Sequence, residues 1–229
     1  TLIYVIILHY IFKDVLFRCP NMKNPVFEYQ DKVLEALKDR AAPFYLAGGT
    51  ALAKFYFQHR ESYDLDFFSQ DYSTAKIREI IRLMEGATGK KMKLLQENSK
   101  EGFAKVSIYD LLLGKNESLK IDFVQDVWAL LNPLKRVDGI DVLSLDDIYL
   151  RKIYAISGTL LEIDKAGQKR FLGGREEAKD YYDVYQLSST YKPLSRFVIE
   201  RCDDLQKEAV VRWYHAYDRS RIKVGLMEL

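Results

Sequence analysis

Cysteine is scarce in this chain of 229 residues, and so are long apolar runs and any excess of charge of one sign. The two cysteines, Cys19 and Cys202, have a spacing that matches no metal or redox motif. Because no secretory context accompanies them, we expect both to be free thiols in a reducing cytoplasm. Cysteine chemistry is therefore not expected to carry the function.

The formal net charge is +2, with 30% charged and 48% hydrophobic residues, which is ordinary for a globular protein. So small a charge does not by itself indicate nucleic acid, and any RNA partner would need a local basic patch. The N-terminal apolar run, residues 2–8, is much shorter than the about 20 residues that cross a bilayer. We therefore expect no membrane partner.

Residues 1–21 are predicted to be an extension outside the functional core. The stretch TLIYVIILHYIFKDVLF lacks the basic start and the small-residue cleavage site of a signal peptide. Met22 precedes the first segment with a clear pattern. The extension is interpreted as an extra helix or strand, or as translated upstream sequence, and an apolar patch for a partner is the alternative.

The most informative stretch is residues 44–68, FYLAGGTALAKFYFQHRESYDLDFF. It predicts a short apolar strand, a turn at residues 48–50, a helix that begins at Thr50, and a second strand. Glycine at both Gly48 and Gly49 lets the backbone approach a ligand closely, because no Cβ intervenes. The N-terminus of the following helix suits a phosphate. Such a turn before a helix is nevertheless often only a turn.

The second strand of this stretch carries Asp64 and Asp66. Alternate side chains of a strand share a face, so these two project together. Two carboxylates ~4 Å apart repel by ~4 kcal/mol at an effective dielectric near 20. Mg²⁺ bound by carboxylates and substrate phosphates would relieve that repulsion. A lone pair of this kind is often a solvated edge, but beside a phosphate turn it indicates nucleotide chemistry.

Together, GGTAL at residues 48–52 and HRESYDLDFF at residues 59–68 resemble the signature of polymerase-β-like nucleotidyltransferases. More narrowly, they resemble the AbiEii/AbiGii-type toxin nucleotidyltransferases, and the resemblance covers about residues 22–187. It implies an α/β (α+β) fold with a nucleotidyltransferase-like mixed-sheet domain at residues 22–136. A mainly helical domain would follow at residues 137–229, with the active site in the cleft between the two.

The resemblance also implies roles for individual residues. Mg²⁺ or Mn²⁺ would be held by the strand pair and by a third carboxylate on a neighbouring strand, which Asp122 matches in position and pattern. An edge-strand Asp without a ligand is the alternative for Asp122. The implied nucleotide-binding residues are Gly48, Gly49, Thr50, Ser62 and Lys152, and the implied metal ligands are Asp64, Asp66 and Asp122.

Lys152 lies in a helix that Ser144 and Asp147 open with a capping box, and it falls on the apolar stripe of that helix. Its ordinary interpretation is a lysine that extends past the core to solvent. The resemblance instead implies that Lys152 holds nucleotide phosphates. Residues 167–174, GQKRFLGG, are predicted to be a flexible basic linker, with backbone contacts to RNA as the alternative.

Asp180 lies in a helix predicted at residues 175–188, on the same face as Val184 and Leu187. A buried Asp needs a partner, because an unpaired buried charge is costly. The resemblance implies that Asp180 positions substrate or acts as a base, and that Asp183 is structural. The alternative is an ion pair of Asp180 with Lys152 or Lys179.

The function that the resemblance implies is a bacterial toxin–antitoxin or abortive-infection toxin. It would transfer a nucleotide from an NTP to RNA, with tRNA as the expected acceptor and a cognate antitoxin as a partner. Basic residues at 165–175 and 212–223 are the expected RNA contacts. A non-catalytic nucleotide-binding or partner-binding module is the alternative. A phosphatase is disfavoured, because Phe68 stands where Thr or Val would follow the second Asp.

Overall fold

The computed structural model describes residues 24–114, 117–165 and 167–227. The predicted extension at residues 1–21 lies outside these residues. Among the residues described, no helix is both long and apolar enough to cross a membrane.

A mixed sheet forms the centre of the fold, and its strands lie in the order β3-β4-β5-β2-β1-β7-β6. β2 is antiparallel to β1 and parallel to β5, and β1 is parallel to β7. The seven strands are β1 (Tyr45–Ala47), β2 (Leu65–Ser69), β3 (Met92–Asn98), β4 (Val106–Leu112), β5 (Ser118–Gln125), β6 (Lys135–Val137) and β7 (Ile140–Val142).

Helices pack on this sheet and continue beyond it, which confirms the predicted α/β class. They are α1 (Pro25–Leu37), α2 (Gly48–Leu52, followed by a π-helical turn at Ala53–Phe57), α3 (Thr74–Thr88), α4 (Leu145–Ser157), α5 (Ala178–Thr190), α6 (Leu194–Arg201), α7 (Asp204–Ala216) and α8 (Arg219–Leu226). A separate two-stranded hairpin joins β8 (Leu160–Ile163) to β9 (Lys169–Leu172).

Alternation in β2 and β5 sets the two faces of the sheet. Leu65 and Phe67 of β2, and Ile121 and Phe123 of β5, are fully buried. Because neighbouring side chains point to opposite faces, the residues between them face away from this core. That alternation matches the predicted pattern and leaves Asp66 and Asp122 on the other face.

The prediction of a flexible linker at residues 167–174 is wrong, because Lys169–Leu172 is paired with β8 as strand β9. The glycines near it serve close backbone packing. A Cβ on Gly158 would lie 2.1 Å from the carbonyl oxygen of Leu172, and a Cβ on Gly174 would lie 2.1 Å from that of Ile156. Glycine there lets the hairpin fold back against the end of α4.

The sheet does not stop at residue 136, where the sequence places a domain boundary. β6 spans that boundary, and β7 is hydrogen-bonded to β1, with Leu143 N donating to Leu46 O at 2.9 Å. One continuous apolar core contains Leu46 and Val142 of the sheet together with Tyr149 and Phe197 of the helices. The two predicted units therefore share a sheet and a core.

We accordingly predict one cooperative unfolding transition for the two units. Trp128 lies in the first unit and Trp213 in the second, and they are the two tryptophans of the chain. The variants Trp128→Phe and Trp213→Phe each leave one fluorescent reporter. In a single transition, the fluorescence and far-UV circular dichroism of each variant give the same urea midpoint. Within either variant, a fluorescence midpoint that differs from the circular dichroism midpoint would show two separately unfolding units.

Candidate active site

A cavity of about 620 Å³ opens between the β1–α2 turn, strands β2 and β5, and helix α4. Most of the residues that the sequence singles out line this one cavity, although they come from separate parts of the chain. Those in the lining are Gly48, Gly49, Ser62, Asp64, Asp66, Asp122 and Lys152. Thr50 and Asp180 are not among the lining residues.

The Gly48-Gly49 turn is packed too closely for any side chain. Gly48 has φ +68°, in the left-handed region, and a Cβ there would lie 2.0 Å from Asp66 Oδ2. A Cβ on Gly49 would lie 2.3 Å from Nη2 of Arg60. The turn therefore lies directly against one carboxylate and one guanidinium. The helix begins at Gly48 itself, two residues before the predicted start.

Thr50 lies behind the cavity wall and is 2% exposed. Its Oγ1 donates to the backbone carbonyl of Asp64 and lies 2.7 Å from Ser62 Oγ. A carbonyl oxygen can only accept a hydrogen bond, so Thr50 donates its hydroxyl proton to Asp64. Thr50 Oγ1 therefore accepts a hydrogen bond from the hydroxyl of Ser62. Thr50 thus fixes the segment before β2 against the turn. It makes no direct contact with the cavity, whereas Ser62 does.

Three aspartates form the acidic wall of the cavity. Asp66 and Asp122 stand opposite each other on the parallel strands β2 and β5, and Asp64 immediately precedes β2. Burial, followed by the charges of Asp122 and Asp64, raises the pKa of Asp66 to about 6. Burial also raises the pKa of Asp122, whose Oδ1 has no hydrogen-bond partner among the residues described. Repulsion and an unsatisfied oxygen are what a bound cation would relieve.

Lys120 partly neutralises this wall, with its Nζ donating to Asp122 Oδ2 at 2.6 Å. No three His, Cys, Asp or Glu side chains within the described ranges form a complete metal cluster. The oxygen donors nevertheless suit Mg²⁺ or Mn²⁺, which prefer carboxylates. The arrangement therefore fits a cation at Asp64, Asp66 and the free oxygen of Asp122.

A buried ionic network forms the opposite wall, with Lys152 at its centre. Lys152 Nζ lies 2.7 Å from Asp180 Oδ1 and 2.6 Å from Asp183 Oδ2. The side chain of Lys152 is 7% exposed and both carboxylates are 0% exposed. Lys152 therefore does not extend to bulk solvent. Of the two partners predicted for Asp180, the structure has Lys152, and not Lys179, bonded to it.

Further basic side chains complete the network. Arg60 binds Asp183 through Nε at 2.7 Å and Nη2 at 2.8 Å, and His59 Nε2 lies 2.8 Å from the same carboxylate. Arg175 binds Asp180 through Nε at 2.5 Å. Because both oxygens of each carboxylate are engaged, the network fixes α4, α5 and the segment before β2 relative to one another.

The network determines the ionisation of its carboxylates. Burial raises the pKa of Asp183, but Lys152 and the hydrogen bonds from Arg60 and His59 outweigh it and hold that pKa well below its usual range. Asp180 shows the same balance, with Lys152 and Arg175 lowering its pKa. A buried carboxylate that stays ionised and saturated with donors does not accept a proton. The geometry therefore disfavours a role for Asp180 as a general base. It fits a role in which Asp180 holds Lys152 and Arg175 in position.

The family model for the nucleotidyl transferase AbiEii toxin, of a type IV toxin–antitoxin system, matches residues 32–219. The chain belongs to this family. It is therefore a nucleotidyltransferase of the toxin type, as the two motifs predict.

Two solved structures from Helicobacter pylori have the same fold as this AbiEii-family chain. One is a candidate nucleotidyltransferase, with 17% identity, a TM-score of 0.52, and coverage of 90% of this chain and 93% of the other. The second is JHP933, with 16% identity, a TM-score of 0.50 and coverage of 91% of each chain. The search of curated proteins gave no match.

Four cavity-lining cations of this AbiEii-family chain are given no nucleotide-binding or metal-binding role by the sequence: Arg60, Lys120, Arg151 and Arg175. Arg60 stands inside the HRESYDLDFF motif, so a signal for it was present. The other three come from β5, α4 and the segment before α5, and no motif connects them. Their proximity is visible only in the fold. With Lys152, the three arginines give the cavity a basic wall, whereas Lys120 lies within the acidic wall beside Asp122.

We predict that Lys152→Met lowers the free energy of unfolding by about 3 kcal/mol. Removing one partner of a buried ion pair costs about 3–5 kcal/mol, and the loss should lie at the low end because each carboxylate still binds an arginine. Urea unfolding monitored by circular dichroism measures the loss. Lys179→Met is the matched control, since Lys179 also lines the cavity but has no ion pair within the described residues. Equal stability of the two variants would contradict a structural role for Lys152.

A second prediction concerns the turn. Gly48→Ala should cost about 1–2 kcal/mol, because an L-residue is strained at this φ. It should also lower activity about 100-fold, because displacing Asp66 by about 1 Å is enough for such a loss. Thermal unfolding and a nucleotide-transfer assay measure the two effects.

Gly86→Ala in α3 is the control for that substitution. Nothing lies within 4 Å of a Cβ built on Gly86. It should therefore keep full activity and gain about 0.5–1 kcal/mol from the better helix former. Similar behaviour of the two variants would show that the turn tolerates a side chain.

Proposed function

We propose that this toxin transfers a nucleotidyl group from an NTP to an RNA acceptor, with tRNA as the expected acceptor, in a reaction that depends on Mg²⁺ or Mn²⁺. The observation that supports it most is that one cavity combines a side-chain-free turn, three aspartates and a wall of cations. An NTP has the complementary chemistry, since its phosphates bind cations and a divalent metal together.

The triphosphate would lie against the Gly48-Gly49 turn. Arg60 is held beside that turn by Asp183, and a fixed guanidinium is well suited to phosphate oxygens. Lys152 would add positive charge from the same wall. The network holds both cations in place before substrate arrives, so little side-chain entropy remains to be lost on binding.

Asp64, Asp66 and Oδ1 of Asp122 would hold the divalent cation. A cation bound there would stabilise negative charge on the reacting phosphate and lower the pKa of the attacking hydroxyl. Lys120 would move away from Asp122 or stay paired through Oδ2 alone. These side chains come from two adjacent strands, which gives the acidic wall a rigid base.

The acceptor would approach along the β8–β9 hairpin. Leu160 and Leu172 of the hairpin line the cavity, and Lys169 and Arg170 are exposed farther along β9. Arg212 of α7 is hydrogen-bonded within the protein, since its Nη2 donates to the carbonyl oxygen of Phe171 at 2.7 Å. Of the two basic stretches expected to contact RNA, the hairpin is the one that adjoins the cavity. A cognate antitoxin is the protein partner that the toxin family implies.

The test is incubation of the protein with each radiolabelled NTP, Mg²⁺ and total bacterial RNA. We expect Mg²⁺-dependent label in RNA of tRNA size, attached at the 3′ end. The labelling should fall steeply with salt, because phosphate contacts release counterions. Label on a protein hydroxyl would keep the chemistry and remove RNA as the acceptor. Tight NTP binding without any labelled product would instead favour the non-catalytic binding module.

Asp64→Asn and Asp66→Asn should each abolish the labelling while the fold stays intact, because each removes a charge from a wall of like charges. Asp71→Asn is the matched control, since Asp71 is exposed shortly after β2 and does not line the cavity. Full activity in both site variants would contradict the proposed metal site.

A further inference from the structure

Trp128 lies in the cavity wall just beyond the end of β5, and 39% of its surface is exposed. Neither the family motifs nor the proposed metal and phosphate contacts involve it. Tryptophan side chains are highly buried on average, so a tryptophan left partly exposed in the wall of a cavity that holds charged residues calls for an explanation. We therefore considered what the exposed part of the ring serves.

The backbone that carries Trp128 is held rigidly. Asp126 is buried, and its carboxylate accepts from Tyr45 Oη at 2.7 Å and from Arg151 Nη2 at 2.8 Å. The same carboxylate accepts from the backbone N of Trp128 at 3.1 Å. Gln70 Nε2 donates to the carbonyl of Trp128 at 2.9 Å. The ring is thus presented to the cavity from a fixed loop and loses little conformational entropy when it contacts a ligand.

One side of the ring is already packed. Its centroid lies 4.5 Å from that of Tyr154 at an angle of 42°. Leu160 and Leu172 of the hairpin line the same cavity. These residues add apolar and aromatic surface to a cavity that also holds the three aspartates and the cations. A flat apolar ligand group would be favoured there.

The position of this region also suits one part of a nucleotide. Asp122 and Gln125 are separated by three residues along β5, or about 10 Å at about 3.3 Å per residue, and Trp128 follows Gln125. The backbone of Trp128 lies beyond the acidic wall in the strand direction, since Gln70, just past the end of β2, donates to its carbonyl. The Gly48-Gly49 turn and the ring line one cavity of about 620 Å³, a volume typical of small-molecule sites, so a single nucleotide is a ligand of suitable size.

We propose that Trp128 stacks on a nucleobase and is the base-binding residue of this site. The inference rests on the proposed function, because it takes the ligand to be a nucleotide. Two sources supply the same chemistry: the base of the incoming NTP and the terminal base of the acceptor strand. Stacking accepts every base, because each has a π-face, so Trp128 adds affinity without selecting one base.

Tryptophan fluorescence provides a direct test. Trp213→Phe leaves Trp128 as the one tryptophan, and Trp213 lies outside the cavity in a cluster with Tyr181 and Tyr217. This variant is titrated with each NTP, with tripolyphosphate and with a single-stranded oligonucleotide, all in the presence of Mg²⁺. We expect saturable quenching by a nucleobase-containing ligand and none by tripolyphosphate, which has no base.

The arms of the titration separate the two sources. Quenching by NTP assigns the ring to the incoming nucleotide, and quenching by the oligonucleotide alone assigns it to the acceptor. Either result supports the inference. In calorimetry, Trp128→Ala should weaken that ligand about fivefold to 100-fold, whereas Trp128→Phe should keep most of the affinity. The affinity for tripolyphosphate should stay the same in both variants.

Binding of NTP and oligonucleotide without quenching, together with unchanged affinity in Trp128→Ala, would overturn the stacking role. If RNA is still labelled in that case, the proposed function stands and only the role of Trp128 fails. A wild-type protein that binds neither NTP nor oligonucleotide would overturn both.

Discussion

The buried ionic network around Lys152 is the interaction on which the rest of the structure depends. An ionised group that loses its partner in the interior costs several kcal/mol, so each member must stay where its partner is. Asp180 and Asp183 lie on α5, Lys152 on α4, and Arg60 in the segment before β2. Through Arg60, the network also sets the position of the Gly48-Gly49 turn. Stability and site geometry therefore have a common cause.

The cavity is polarised because its two walls arise from different elements. The acidic wall belongs to β2 and β5, where strand alternation leaves Asp66 and Asp122 on one face. The basic wall belongs to the helices and the segments before them. A nucleotide with a bound cation carries both signs of charge, so a polarised cavity can orient it by electrostatics alone. A net charge of +2 on the whole chain hides this local separation.

What the sequence predicts well is what local patterns encode. The period of two in β2 and β5 predicts that Asp66 and Asp122 face away from the core, and the capping box correctly marks Ser144 as the start of α4. The pairing of Arg60 with Asp183 spans 123 positions, and no local pattern contains it. The sequence does not predict the β8–β9 hairpin, because the four residues of β8 are all exposed and lack the alternation that identifies a strand. From the sequence, the glycines near it predict flexibility, whereas in the structure they permit close backbone packing.

The network also limits what Lys152 can do for a substrate. Lys152, Arg60 and Arg175 face two carboxylates that remain ionised, so only about one positive charge remains for a ligand. Most of the positive charge of each cation is balanced by its aspartate partners. If these cations bind phosphate as proposed, their main contribution would be orientation rather than net attraction. Under the proposed function, such a site would orient a nucleotide without holding a negatively charged product by a large excess of positive charge.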